Sequence, residues 1–162
     1  MKQDGQPQAD AGCSVDWSWL AGREIVAARS DLESFTLTFS DGQTLLVRKR
    51  DTTAFMQPGG KIETHELPVH ALARELEEEL GLVIDPAQAR FLGQFSAPAA
   101  NEPGFVVQAE IFQLTIDADV SPAAEIEEVI WIDPATDGDV VLAPLTRDLI
   151  LPFYRASLTA IA

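Results

Sequence analysis

The sequence predicts an α/β fold in which helices cover both faces of a mixed β-sheet. Six segments have the composition or the alternation of strands, two have the pattern of helices, and no internal repeat or interior linker divides them. Helices and sheets must bury their apolar faces against another layer. A chain with this order of elements therefore packs most naturally as a sheet between helices.

The length and composition indicate one domain without a membrane span. The 162 residues are typical of a single folding unit, which we expect over residues 15–162 after a flexible, polar tail at residues 1–14. No apolar run approaches the ~20 residues that cross a bilayer, and the tail lacks the apolar core of a signal peptide. The single cysteine, Cys13, cannot form an internal disulfide, which fits a cytoplasmic protein.

The chain is strongly acidic. It has 26 Asp and Glu residues against 11 Lys and Arg residues, for a net charge of -15. Such a surface repels nucleic acid and anionic membranes, so we expect neither as a partner. Ligands that carry phosphate stay compatible, because a bound metal ion can reverse the sign of the local field.

The first strands precede a glycine-rich loop. They are predicted in REIVAARS, SFTLTF and TLLVRKR, which begin at residues 23, 34 and 44. Phe35, Leu37 and Phe39 alternate with polar residues, as in a half-buried strand, and Asp41–Gly42 is typical of a hairpin turn. The segment Pro58–Gly60 then predicts a loop whose backbone bends sharply and approaches a ligand.

A helix follows this loop, with Pro68 acceptable in its first turn and Gly81 well placed as its C-terminal stop. Three more strands are predicted in FLGQFSA, GFVVQAEIFQLT and EIEEVIWI. The last segment, APLTRDLILPFYRASL, has a helical pattern that Pro152 should kink or interrupt.

Glutamates crowd the end of the first predicted helix. At about 100° per residue, Glu75, Glu78 and Glu79 share one arc of the helix surface beside its apolar face, whereas Glu77 points away. Like charges at this spacing repel by about 0.2–0.5 kcal/mol per pair. The arc is either a solvated charged surface or a set of oxygen ligands for Mg²⁺ or Mn²⁺, and the spacing by itself leaves both interpretations open.

The residues before the helix favour the second interpretation. Gly60 is followed after five residues by Glu66, and Glu66 after seven residues by Arg74 and the glutamates. The whole segment, GKIETHELPVHALARELEEELGL, resembles the Nudix box, whose pattern is G, five residues, E, seven residues and REUxEExGU, with U aliphatic. With the strands around this box, the chain resembles the Nudix hydrolase family over about residues 20–155.

The resemblance implies a Nudix-type α/β/α sandwich around a mixed sheet, and a hydrolase of nucleoside diphosphates linked to another group. Members of this family cleave the diphosphate with water and divalent cations. The resemblance therefore implies Mg²⁺ as cofactor, with Mn²⁺ as a substitute, and a small nucleotide as substrate. Family members are often dimers, which allows a homodimer. The alternative is a regulatory Nudix domain that binds a nucleotide without cleaving it.

The same resemblance implies roles for the motif residues. Glu78 and Glu79 are expected as metal ligands, and Glu75 as a further ligand or the group that orients the attacking water. Glu75 and Glu78 are both candidates for the catalytic base. The Gly60 carbonyl is expected in the metal shell, and Arg74 is expected to hold a glutamate of the cluster in place.

Other acids near the motif have implied roles as well. Glu66 should form a structural ion pair that shapes the loop and the helix. A further acidic ligand is expected downstream, for which Glu125 is the first choice and Glu128 the second, and Glu125 is also a candidate for the base. His65 stands where many family members have glycine, so the loop there must tolerate a positive φ angle.

The substrate is expected to meet the basic residues near the motif. Arg48 and Arg50 share one face of a strand by alternation, so they either contact phosphate together or face solvent at the strand end. Lys61 lies next to the motif glycine, and Asn101 lies in a loop where it can read a base. The spacing of Pro98 is similar to that of the branch that hydrolyses ADP-ribose. A modified nucleotide, a nucleoside triphosphate and an ADP-ribose-like compound all stay open as substrates.

Overall fold

The computed structural model describes residues 29–40, 42–136 and 138–159. In these ranges the chain forms six strands and two α-helices: β1 (Arg29–Ser40), β2 (Gln43–Lys49), β3 (Gly59–Lys61), α1 (Pro68–Leu80), β4 (Arg90–Pro98), β5 (Phe105–Thr115), β6 (Ile126–Ile132) and α2 (Leu151–Thr159). A 3₁₀ turn precedes β4, and a π-helical turn at Thr146–Ile150 leads into α2. No helix in this part of the chain is long and apolar enough to cross a membrane.

The strands form one mixed sheet, as predicted. The strand order is β4-β5-β1-β2-β6, and β3 pairs with β1 off this path. Strands β1 and β5 are parallel, while the other pairs are antiparallel. β1 is long enough to pair with β3 around Ser34 and with β2 at its last two residues, Phe39 and Ser40. The glycine-rich segment is thereby fixed against the centre of the sheet.

Helices cover the two faces of this sheet, which confirms the predicted layers. Strand β2 shows the arrangement, because Leu45 and Val47 pack with the leucines of α1, whereas Leu46 packs with Leu151 of α2. Successive residues of a strand point to opposite faces. A single strand therefore contributes to both hydrophobic clusters, and α1 and α2 lie on opposite sides.

Several sequence predictions fall outside the described residues. The strand REIVAARS is described only from Arg29 onward, and the tail at residues 1–14 and Asp41 of the predicted turn lie outside as well. The alternation of Phe35, Leu37 and Phe39 concerns side chains that also lie outside the described ones.

The prediction of a loop at Pro58–Gly60 is wrong for its glycines. Gly59 begins strand β3, and both glycines pair with β1 in antiparallel register. Gly59 has a φ of 143°, which only glycine adopts readily, so an extended strand forms here despite the loop-like composition.

The final helix is interrupted near Pro152, as predicted. The N–H of Leu151 binds the carbonyl of Thr146, five residues earlier, so the bonding is π-type before α-helical bonding resumes. Proline has no N–H to donate, which makes a change of bonding register least costly at this point.

Candidate active site

Helix α1 places three glutamates beside strand β3. Pro68 begins the helix, and Gly81 ends it in the left-handed conformation with a φ of 65°. The leucines of α1 are buried against the sheet. Glu79 is buried together with these leucines, whereas Glu75 is half-buried and Glu78 is exposed.

The Glu79 carboxylate is the most deeply buried acid of the site. Its side chain has a relative exposure of 2%, and it accepts a hydrogen bond of 3.3 Å from the N–H of Gly59. Burial raises the pKa of Glu79 to about 7, with smaller contributions from the nearby Glu75 and Glu125, against the opposing effect of Lys49. Its Oε1 atom has no hydrogen-bond partner among the described residues.

Arg74 ties the helix to the segment that precedes it. Its guanidinium donates two hydrogen bonds to Glu66, of 3.0 and 2.9 Å, and one of 2.9 Å to the carbonyl of Lys61. A further bond of 2.6 Å reaches Glu75. The Arg74 guanidinium holds the pKa of Glu66 at about 2. The ion pair expected for Glu66 is therefore present, and Arg74 orients a glutamate of the cluster.

The glycine that opens the motif packs against a carboxylate. A Cβ atom at Gly60 would lie 2.5 Å from Oε2 and 2.7 Å from Oε1 of Glu75, so no side chain fits at this position without displacing that carboxylate. In the same loop, His65 adopts a φ of 67°, so the histidine takes the left-handed conformation that glycine would take more easily.

Lys49 lies between two acids of the cluster. Its ammonium group is 3.5 Å from Glu79 Oε1 and also forms an ion pair with Glu125. The backbone of Glu125 is fixed too, because its carbonyl accepts a hydrogen bond of 2.8 Å from the N–H of Arg50. The register between β2 and β6 shifts at this point, and Glu125 lies just before β6, beside the glutamates of α1.

The acids surround a cleft that adjoins a second cavity. The glutamate cleft has a volume of about 440 Å³ and is lined by Lys49, Gly60, Lys61, Glu75, Glu78, Glu79, Ala124 and Glu125. The adjoining cavity, of about 340 Å³, is lined mainly by apolar residues of the segments around β3, β4, β5 and α2. Lys49, Lys61 and Glu125 line both. The two spaces therefore meet along a mixed-charge border.

Two of the predicted substrate-binding residues line these spaces. Lys61 lines both, and Asn101 lines the adjoining cavity from the loop between β4 and β5. Pro98, at the end of β4, lines the adjoining cavity as well. The structure therefore places Lys61 and Asn101 along one continuous space.

The structure does not bring Arg48 and Arg50 to the glutamates as a phosphate-binding pair. The Arg48 guanidinium binds the carboxylates of Glu127 and Glu128 at 2.7 and 2.8 Å, and it lies 5.7 Å from the centre of the Phe55 ring. Phe55 belongs to the cluster on the α2 side of the sheet, so Arg48 faces away from α1. Arg50 donates to the carbonyl next to Glu125 and supports that loop instead.

Among the residues that line the two spaces, sequence reasoning did not select Lys49, Gln57 and Phe105. For Lys49 a signal exists, because the alternation that points Leu45 and Val47 toward α1 also points Lys49 there. Gln57 and Phe105 line the adjoining cavity. Gln57 is buried between two strands and Phe105 begins β5, and neither belongs to a motif that the sequence makes visible.

The donors around the glutamate cleft fit a divalent cation. Carboxylate and main-chain oxygens are the ligands of hard cations, and the buried Glu79 Oε1 has the Lys49 ammonium at 3.5 Å but accepts no hydrogen bond from the described residues. Within the described ranges, no three Asp, Glu, His or Cys side chains already converge on one metal position. In this arrangement Lys49 forms ion pairs with Glu79 and Glu125, and Arg74 forms one with Glu75.

Comparison with known proteins agrees with the motif. A family model described as the NUDIX domain matches residues 34–144. An octanoyltransferase of Myxococcus xanthus is 38% identical over 104 residues, which are 59% of this chain and 28% of that protein. An ADP-ribose pyrophosphatase of Methanocaldococcus jannaschii is 27% identical over 96 residues, 57% of this chain and 56% of that protein. The chain thus spans about a quarter to about a half of these curated relatives.

A solved structure supports the fold independently. The crystal structure of a MutT/nudix family protein from Enterococcus faecalis superposes with a TM-score of 0.66 at 18% identity. The superposition covers 88% of this chain and 68% of that chain. At this identity the likeness concerns the fold, which is the mixed sheet between helices described above.

Proposed function

The chain belongs to the Nudix family, and from this premise we propose that it is a Mg²⁺-dependent hydrolase that cleaves the diphosphate linkage of a nucleoside diphosphate derivative. One observation carries the proposal. A cleft lined by four glutamates opens into a mainly apolar cavity of about 340 Å³, and lysines lie on their common border. This arrangement suits a ligand with an anionic diphosphate and an attached nucleoside.

Four glutamates and one main-chain carbonyl are the candidates to hold the cation. Glu79 contributes a buried carboxylate whose Oε1 accepts no hydrogen bond from the described residues, and Glu75 and Glu78 line the same cleft from α1. Gly60 and Glu125 face them from β3 and from the segment before β6. When bound, Mg²⁺ or Mn²⁺ supplies positive charge to the diphosphate oxygens and lowers the pKa of water.

The lysines on the border are placed to receive the phosphates. A protein with a net charge of -15 repels a polyanion, so local positive charge must hold it. Lys49 and Lys61 line both spaces and therefore lie where the diphosphate would pass from one to the other. Lys49 has to leave Glu79 and Glu125 in part in order to contact phosphate, which frees carboxylate oxygens at the same time.

Glu75 and Glu78 are the best candidates to accept the proton of the attacking water. Glu79 and Glu125 are both engaged by Lys49. One oxygen of Glu75 is fixed by Arg74, which orients the carboxylate against Gly60 and leaves its other oxygen for water. Glu78 is exposed at the mouth of the cleft. Attack on phosphorus then expels the phosphate of the other half as leaving group.

A panel assay tests the proposal. Nucleoside triphosphates, ADP-ribose, sugar nucleotides and dinucleoside polyphosphates are incubated with Mg²⁺, and the products are identified. We expect a nucleoside monophosphate and a second phosphate-bearing product from at least one compound. Glu78→Gln should abolish this turnover while the fold persists, and Glu77→Gln, on the solvent side of α1, is the matched control.

A second candidate is a Nudix domain that binds a nucleotide without cleaving it. The observation that favours it is Lys49, whose ammonium group lies between two carboxylates of the proposed cation site. This candidate predicts nucleotide binding with no product under Mg²⁺ or Mn²⁺, across the whole panel. Turnover by the wild type that Glu78→Gln removes decides against it.

A further inference from the structure

A buried amide lines the adjoining cavity. Gln57 has a relative exposure of 1% and lies among the lining residues. Its backbone is fixed on both sides, because Met56 exchanges hydrogen bonds of 2.8 and 2.9 Å with Val47 of β2, and Gly59 begins β3. The position of Gln57 is therefore set by the sheet rather than by a flexible loop.

Thr146 fixes the orientation of this amide. Its hydroxyl donates a hydrogen bond of 2.7 Å to Gln57 Oε1, and Thr146 is itself fully buried at the start of the π-helical turn. With the oxygen engaged, the side chain offers mainly its N–H₂ donors. The Nε2 atom has no hydrogen-bond partner among the described residues.

Buried side-chain atoms without a hydrogen-bond partner occur on residues that line both spaces. Of the three such atoms in the described part of the chain, Glu79 Oε1 belongs to a residue that lines the glutamate cleft and Gln57 Nε2 to a residue that lines the adjoining cavity. The third, Thr44 Oγ1, belongs to a residue that lines neither space. Buried polar groups are normally hydrogen-bonded. An unpaired donor beside an apolar cavity is therefore a feature that an acceptor on a ligand would satisfy.

We propose that Gln57 is a specificity-determining residue whose Nε2 donates a hydrogen bond to an acceptor atom on the base of the substrate nucleotide. The inference rests on the proposed function, which puts the diphosphate in the glutamate cleft and the nucleoside in the adjoining cavity. Phe105, Val107 and Leu145 offer apolar contact to a flat ring, and such contact distinguishes poorly between bases.

Gln57 can distinguish between bases because its amide is held in one orientation. A carbonyl oxygen or ring nitrogen at that point completes the hydrogen bonding of Nε2. An amino group at the same point would place two donors face to face. Sites built to hydrogen-bond a ligand reject analogues that leave their buried groups unpaired.

Binding of AMP, GMP, UMP and CMP, measured by calorimetry without metal and again with Ca²⁺, tests the inference without requiring turnover. Gln57→Leu keeps the approximate volume and removes the donor, and Gln57→Glu keeps an oxygen for Thr146 but replaces the donor by an acceptor. Thr44→Val is the matched control, since it alters a buried unpaired hydroxyl away from the cavity.

The expected result is a base preference in the wild type and in Thr44→Val that both Gln57 variants reduce. The preferred nucleotide should lose about tenfold in affinity, and the four dissociation constants should converge. The inference is overturned if the ratios of the four dissociation constants are unchanged in Gln57→Leu, or if the affinity for all four nucleotides falls by the same factor. The absence of nucleotide binding by the wild type also overturns it.

Turnover of diphosphate substrates under Mg²⁺ is measured in parallel and separates the two proposals. If the protein turns over diphosphate substrates but the ratios of the dissociation constants for the four bases are unchanged in Gln57→Leu, only the role of Gln57 is overturned. Base-selective binding that depends on Gln57, without any turnover, overturns the hydrolase assignment alone and supports the role of Gln57.

Discussion

The glutamate cleft and the adjoining cavity share a border but differ in how the chain builds them. Most of the cleft comes from the continuous segment Gly60–Leu82, in which a glycine, an arginine and three glutamates are fixed by one strand and one helix. The cavity draws on four separate parts of the chain, and its key polar contact joins Gln57 to Thr146, 89 residues away. Under the proposed function, local sequence therefore determines the chemistry, and tertiary packing determines recognition.

The two spaces also differ in what they leave unsatisfied. The cleft holds a buried carboxylate oxygen without a hydrogen-bond partner, and the cavity holds a buried amide donor without one. The first fits a cation and the second fits a ligand acceptor. If this division is correct, substitutions in the cleft should affect turnover, and substitutions in the cavity should affect selectivity.

Glu79→Gln gives the largest expected effect. Removal of the buried carboxylate should lower kcat/KM by about a thousandfold, because several kcal/mol of stabilisation by the bound cation would be lost. Steady-state kinetics on the best substrate checks this, with Glu77→Gln as the control that should retain wild-type activity. Near-normal turnover in Glu79→Gln would remove Glu79 from the proposed cation site.

The stability of the metal-free protein should fall as pH rises from about 4.5 to about 7. Burial raises the folded-state pKa of Glu79 to about 7, so in this window the unfolded chain releases the proton that the folded protein keeps. The decrease in the free energy of unfolding should be complete above pH 7 and amount to about 3 kcal/mol. Denaturant unfolding at several pH values measures it.

Glu79→Gln provides the control for this pH dependence, since glutamine cannot titrate and should flatten the curve in the same window. Added Mg²⁺ should stabilise the wild type more at pH 8 than at pH 5.5. A ligand that binds only the folded state adds to its stability, and Glu79 must lose its proton before it can bind the cation. An equally steep decline in the variant would assign the effect to another group.

Gly60→Ala should disable the cleft while leaving the cavity intact. The new methyl group would displace the Glu75 carboxylate and disturb its bond with Arg74, but it would meet only the end of a long side chain and no backbone, so the fold should survive. We expect kcat to fall about a hundredfold, as for a misplaced catalytic group, with unchanged binding of nucleoside monophosphates. A loss of that binding would show that the two spaces are not separable at Gly60.

Lys49→Gln tests the border that the two spaces share. Loss of the ammonium should raise KM about tenfold through weaker phosphate binding. The affinity for Mn²⁺ without substrate should rise, because a positive charge no longer competes for Glu79 and Glu125. Titration with Mn²⁺ and steady-state kinetics give the two values, and an unchanged KM or a lower affinity for Mn²⁺ would contradict this role.

The sequence predicted the elements around the cleft well because its information there is local. The helix from Pro68 to its stop at Gly81 follows from residue types and spacing, and so does the arc of glutamates. The arc was predicted to lie beside the apolar face, and Glu79 is the member of it that is buried. What the motif did not predict was the ammonium of Lys49 beside it, although strand alternation with Val47 carried that information.

The sequence predicted the cavity poorly because its residues meet only through the fold. Nothing near Gln57 in the chain indicates that Thr146 will orient its amide. For Arg48 and Arg50 the sequence predicted a contact that the fold does not form. A basic strand end suggested that they bind phosphate, but the carboxylates opposite on β6 bind Arg48. Charge and alternation identify a face of a strand, but not the partner that the sheet supplies.

The most direct test of the division between the two spaces is one kinetic comparison of Glu79→Gln and Gln57→Leu on the same set of substrates that differ only in their base. We expect Glu79→Gln to lower kcat for every base by a similar factor and to leave the order of preference unchanged. We expect Gln57→Leu to retain kcat and to remove the preference through KM. A Gln57→Leu enzyme with wild-type preference, or a Glu79→Gln enzyme with an altered one, would contradict this division.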